Sequence, residues 1–212
     1  MMIYELRSYT TQPAKFKEFV ALTAKVGIKL RTKHSKLVGY WTTETGKLNQ
    51  VVHLWEYENF DHRTRVRAAL AKDKAWNTQY LARSRPMLQH QESLVLVPAD
   101  FWPFTPPSGI GIYELRNYRL HPGKVPEWLE HFKTGLPARL KYNKPVGIWS
   151  SELGELNRVV HLWQYESLEH RARLRKAFMA DPVWKETVGR LQPLMQIMES
   201  KILIPTEFSP LR

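Results

Sequence analysis

A chain of 212 residues with 43% hydrophobic and 25% charged side chains has the balance of a folded globular protein, not of a disordered or fibrous one. It holds no cysteine, which excludes disulfides, thiolate metal sites and a cysteine nucleophile, and no run near the roughly 20 apolar residues of a membrane span. The formal charge of +12 suits acidic partners, yet Lys and Arg lie scattered among Asp and Glu, as on a solvated surface of basic bias.

In chain order, "IYELRSY" (Ile3 to Tyr9) alternates apolar and polar residues and predicts a strand. Pro13 suits a first helical turn, after which Phe16, Phe19, Val20, Thr23 and Val26 recur at helical spacing. "LVGYWTTET" and "LNQVVHLWEYE" are rich in β-branched and aromatic residues around Gly46, which predicts a hairpin. Asp61 offers an N-cap for a helix carrying Val66, Ala69 and Leu70, and Asp73 offers a start for a helix bearing Trp76. A last strand covers Leu88 to Val97. The order is β-α-β-β-α-β, that of a ferredoxin-like unit with helices on one face of an antiparallel sheet.

The same unit then recurs. "IYELRNY" at Ile112, "HPGKVPEW" at His121, "VGIWSSELG" at Val146, "LNRVVHLWQYESLEHR" at Leu156, Asp181-Pro182 before Trp184, and "ESKILIPTEFSP" at Glu199 follow in the order of their counterparts. Two copies of about a hundred residues are too few and too long for a solenoid. The expected organisation is a first domain over 1–98, a Pro- and aromatic-rich join over 99–111 that packs against a domain, and a second domain over 112–212.

Alternation on the third strand sets Asn49, Val51, His53, Trp55 and Tyr57 on one face and Val52 and Leu54 on the other. A two-residue turn at Gly46 and Lys47 would place Glu44 opposite Asn49, Tyr40 opposite His53 and Trp41 opposite Val52, whereas a three-residue turn would swap this. Trp41, Val52 and Leu54 then form an apolar face assigned to the helices. The amphipathic set holds Arg7, Tyr40, Glu44, Asn49, His53, Trp55 and Tyr57, repeated as Arg116, Glu152, Asn157, His161, Trp163 and Tyr165. Such a face is too apolar to leave bare and too polar for a simple core, so the two copies are expected to close over one shared interior.

These motifs, "YELRxY", "VGxWxxExG", "LNxVVHLWxYE" and "HRxRxR", resemble the NIPSNAP family over nearly the whole chain. The resemblance implies an α+β fold class: two tandem ferredoxin-like domains forming a structure of the dimeric α+β barrel type, with helices outside. It implies no catalytic residues, and whether the chain is an enzyme stays open. Animal members are associated with mitochondria and begin with a targeting segment. None is visible here, so the expectation is a cytoplasmic protein, or a mitochondrial-matrix one if this is a processed form.

The interior residues suit a small amphipathic or aromatic ligand, or a scaffold role. The alternative is cofactor-independent oxygenation or haem binding, with His53 or His161 as acid-base or axial group. Besides that haem alternative no cofactor is expected, and no metal site: there is no HExxH, and one His per sheet is too few ligands. Arg63 with Arg67, and Arg171 with Arg175, stand at i and i+4 on a helix face, a spacing that suits an anion or a solvated face pairing with nearby acids. An RNA-binding module shares the element order, but "NQVVHLWEY" lacks the basic-Gly-aromatic opening of that signature. Exposed outer strands suit a homo-oligomer, a dimer first.

Overall fold

The structure, a computed structural model, describes residues 1–212. The first copy runs β1 (Ile3–Thr11), α1 (Phe16–Leu22), a π-helical segment Thr23–Gly27, α2 (Ile28–Arg31), β2 (Lys36–Thr43) and β3 (Gln50–Tyr57). It continues with α3 (Phe60–Lys72), a second π-helical segment Trp76–Leu81, α4 (Ala82–Ser84) and β4 (Leu88–Pro98). The second copy is β5 (Ile112–Leu120), α5 (Val125–Leu140), β6 (Pro145–Leu153), β7 (Arg158–Tyr165), α6 (Leu168–Ala180), α7 (Pro182–Leu191) and β8 (Met195–Pro205). Both are the expected β-α-β-β-α-β units of an α+β fold.

Two compact units form, Met1–Val95 with Leu203–Arg212, and Leu96–Ile202. In the first, β3 lies between β1 and β2, both antiparallel to it, and the end of β8 adds to β2 at Trp41–Pro205. The chain after β8 stays there: Thr206 donates to the Tyr40 carbonyl at 3.0 Å, and the Tyr40 amide donates to Ser209 Oγ at 2.9 Å. In the second unit β7 lies between β5 and β6. Here the join over 99–111 packs, with Ala99 donating to Ile148 and Thr105 to Val146. These boundaries differ from the sequence segments, because the tail after each final strand satisfies its backbone on β2 or β6 of the other repeat.

The "VGxW" motif has a local cause. β2 carries a bulge between Leu37 and Gly39, and the Trp41 ring folds back over Gly39 so closely that a Cβ there would lie 2.2 Å from it. Gly147 under Trp149 repeats this at 2.1 Å. Only glycine leaves room for the indole.

Helix starts are partly as expected. Asp73 accepts from the Trp76 amide at 3.0 Å, and Asp181 accepts from Val183 and Trp184. Asp61, expected as an N-cap, lies instead in the first turn of α3. The cap is Asn59, whose extended backbone lets its side-chain oxygen accept from His62 at 2.8 Å. Ser167 does the same for α6.

Candidate functional site

The strand register is the one the two-residue turn implied: Tyr40 pairs with His53 and Trp41 with Val52, while Arg7 flanks His53 from β1. The connection itself is longer. Residues 44–49 form the loop, with Gly46 and Asn49 at positive φ, 89° and 52°. The faces, however, are turned the other way. His53, Trp55, Tyr57 and Tyr40 look into their own copy's helices and, with Arg7 and Arg31 among the lining, enclose a cavity of about 330 Å³. In the second unit Tyr118, Ile148, Trp163 and Tyr165 pack in one cluster with Trp128, Phe132, Phe178 and Trp184. A cavity of about 200 Å³ lies there, bounded by Arg116, His161 and Trp163.

The expectation that the two polar-aromatic faces line one shared interior is therefore corrected: each of those sets lines a chamber of its own copy. The apolar set Trp41, Val52 and Leu54, expected beneath the helices, is on the opposite face and is also buried. Glu44, in the hairpin loop, and Glu152, near the end of β6, leave the site altogether, both exposed. Asn49 and Asn157 hold left-handed turns, a conformation asparagine tolerates. The Asn49 carbonyl accepts from Thr11 at 2.9 Å, and Asn157 Oδ1 accepts from Gly123 at 3.2 Å.

Arg63 and Arg171 do find an anion, which is the chain's own. Glu5, 0% exposed, accepts from Arg7 at 2.5 Å, Arg63 at 2.8 Å and Ser93 at 2.7 Å through Oε1, and from the Tyr57 hydroxyl at 3.3 Å through Oε2. Glu114 accepts likewise from Arg116, Arg171 and Ser200, each at 2.7 Å. Burial pushes the Glu114 carboxyl up, but the Arg171 hydrogen bond and the Arg116 charge outweigh it and bring it down to about 2. The same opposition holds Glu5 well below the carboxylate range. Arg67 stands 3.7 Å from Glu5, and Arg175 lies over Phe178 at 5.8 Å.

His53 is 2% exposed and stacks parallel on Tyr40 at 4.9 Å, with Tyr9 edge-on at 4.7 Å. Trp55 Nε1 donates to its Nδ1 at 2.5 Å, which puts the ring proton on Nε2. Trp163 and His161 repeat the bond at 2.6 Å. Burial, and then the charges of Arg31 and Arg7, drive His53 well below its ordinary value; burial and Arg116 do so for His161. Both rings are neutral donors. In the second chamber the Nε2–H of His161 and the indole N–H groups of Trp128 and Trp184 are buried with no partner.

Strand alternation sets Glu5 and Tyr9 on the face of Arg7, and Glu114 and Tyr118 on the face of Arg116, but sequence reasoning did not name them in the site. The alternation Glu-x-Arg-x-Tyr within one strand was the available signal. Arg31 and Arg139 were missed entirely. Their guanidiniums lie over Trp55 at 3.8 Å and over Trp163 at 4.2 Å. Tyr40, Trp55 and Tyr57 are at most 2% exposed, so the sheet aromatics that an RNA-recognition module presents to bases are covered here.

Residues 4–103 and 113–210 each match the NIPSNAP family model. Protein NipSnap homolog 3A of Homo sapiens is 40% identical over 214 residues, covering 100% of this chain and 86% of that protein. Protein NipSnap homolog of Dictyostelium discoideum is 36% identical over 210 residues, covering 97% of this chain and 88% of its own length. A crystal structure titled putative monooxygenase, from Lactobacillus acidophilus NCFM, aligns over 100% of this chain and 99% of its own at a TM-score of 0.67. Its identity is 10%, so the likeness is one of fold.

Proposed function

The chain belongs to the NIPSNAP family, and on that footing we propose that each copy holds a small amphipathic or aromatic molecule in the chamber beneath its helices, with interaction or scaffolding as the physiological output. One observation carries the reading. His161 Nε2–H and the Trp128 and Trp184 indole N–H groups are buried without acceptors beside an aromatic-walled cavity. Leaving a buried donor unpaired costs about 1–3 kcal/mol each, a cost an acceptor on a ligand would remove.

The test is a titration of the full chain with 1-naphthol, followed by tryptophan fluorescence and by the urea midpoint. Saturable quenching and a raised midpoint are expected, since a ligand that binds only the folded state stabilises by about 2.7 kcal/mol at a hundredfold excess over Kd. The double variant Ala71→Trp/Val188→Trp narrows both chambers from lining positions and should lose the effect. Quenching without saturation, or an unchanged titration in that variant, sinks the reading.

Haem fits the chambers poorly. The Nδ1 of each histidine is occupied by an indole N–H, so Nε2 carries the proton and offers no lone pair for axial ligation. The reading also carries a homo-oligomer, a dimer first, in the cytoplasm. Residues 89–93 of β4 and 196–200 of β8 are exposed in succession, Ile197 and Met198 among them, and supply surface for it. Light scattering on the eluting protein is expected to give twice the chain mass of 25.0 kDa; the single-chain mass would refute the dimer.

A further inference from the structure

The two copies are not equivalent, and the difference is concentrated at the chambers. Phe19 and Trp128 correspond at a spacing of 109 residues, but Val38 and Val146 at 108. Trp76 and Trp184 also stand 108 apart, whereas Glu92 and Glu199 stand 107 apart. The first copy thus carries one extra residue in each of two helical stretches. Each extra residue is absorbed as a π-helical turn, Thr23–Gly27 and Trp76–Leu81, where the second copy has the regular helices α5 and α7. Such turns tend to occur at functional sites, because they widen a helix and re-aim its side chains.

Both turns border the larger chamber and meet across it. Thr23 Oγ1 and the Tyr80 hydroxyl are 2.9 Å apart, and the Tyr80 ring crosses Gly27 so closely that a Cβ would lie 2.5 Å from it. Thr23, Tyr40, Tyr80 and Ser84 therefore line a polar wall. At the matching positions the second copy has Phe132, Ile148, Thr187 and Leu191.

The cations differ as well. Arg139 is satisfied within its own unit, bonded to Asn143 Oδ1 and, at 3.4 Å, to the Tyr165 hydroxyl, and it also faces the Phe178 ring at 3.8 Å. Arg31 is 8% exposed, lies over the Trp55 ring, forms no ion pair with a carboxylate, and its Nε is buried without a partner. Glu5, the buried acid of that unit, is already taken by Arg7 and Arg63. A buried guanidinium with no counter-charge is costly unless something else supplies one.

We propose that the first chamber is a site for a small aromatic organic anion, whose acid group sits on Arg31 and whose ring lies among Trp55, Tyr40 and Tyr80, while the second chamber takes no such anion. The hydroxyls of Tyr80 and Ser84 and the Nε2–H of His53 supply further donors. This rests on the small-molecule reading above and adds the charge and the copy.

The experiment titrates the full chain with 1-naphthoate and, separately, its neutral counterpart 1-naphthamide, read by calorimetry. One naphthoate per chain is expected, bound about tenfold to a hundredfold tighter than the amide, as a charge-assisted bond allows. Arg31→Gln should abolish that preference, Arg31→Lys should keep part of it, and Arg139→Gln should leave it unchanged. Equal affinity of acid and amide in the parent, or loss of the preference in Arg139→Gln, overturns the anion site while leaving a ligand chamber. If neither probe binds saturably, both readings fall.

Discussion

Glu5→Ala should destabilise the fold by about 3–5 kcal/mol, the cost of removing one partner from a buried ionic cluster. The carboxylate is fully buried, while the side chains of Arg7 and Arg63 keep 14% and 20% of their exposure. Those two cations would remain in a site that solvent reaches only partly. The residual exposure favours the lower end of the range, since water can screen what the carboxylate no longer does.

Glu114→Ala is expected to do less. Glu5 Oε2 accepts from Tyr57, but Glu114 Oε2 is buried without a partner, so the second cluster already holds one bond fewer. Glu5→Gln should cost less than Glu5→Ala because an amide oxygen still accepts from one guanidinium. Urea unfolding of the three variants, with slope and midpoint compared to the parent, checks the order. A loss under about 0.5 kcal/mol for Glu5→Ala, the ordinary range of surface substitutions, would mean that the cluster contributes nothing to the fold.

Acidification should destabilise the protein from about pH 6.5 downward, well before any carboxylate titrates. His53 and His161 are held neutral in the folded state with pKa values well below the ordinary one, first by burial and then by the neighbouring arginines. An unfolded chain binds protons at these rings near pH 6.5, and the folded chain does not. Their contribution is therefore fully present above that pH and is lost as pH falls towards the folded values. Each ring contributes a limiting slope of about 1.4 kcal/mol per pH unit, so the pair gives roughly 2.8.

The glutamates act in a separate window. Both are depressed, so their contribution is present above the unfolded carboxyl value of about 4.3 and disappears below it, for Glu114 towards about 2. Urea midpoints between pH 8 and pH 5 should accordingly fall below pH 6.5, and His161→Gln should halve the slope. Stability that stays level across that range would show that the imidazoles are not held neutral.

How much of this was legible without coordinates depends on the kind of order involved. Period-two alternation determined that His53, Trp55 and Tyr57 share a face, and hairpin arithmetic paired Tyr40 with His53 and Trp41 with Val52. Those are properties of a pleated backbone, and each follows from neighbours a few residues apart. The duplication, the element order and the α+β class were equally plain, because they repeat in the letters themselves.

Only the tertiary structure decided which face the helices cover. Val52 and Leu54 are 0% and 2% exposed, and His53 and Trp55 are 2% and 1%, so both faces are buried and hydrophobicity could not choose between them. Nor could helical spacing find Arg31. Trp128 and Arg139 lie eleven residues apart, three turns of a regular helix and hence on one face, but Phe19 and Arg31 lie twelve apart and a regular helix would turn them away from each other. The π-helical turn at Thr23–Gly27 restores the alignment. It forms because packing across the chamber, with Tyr80 against Gly27, holds an extra residue that local spacing alone cannot place.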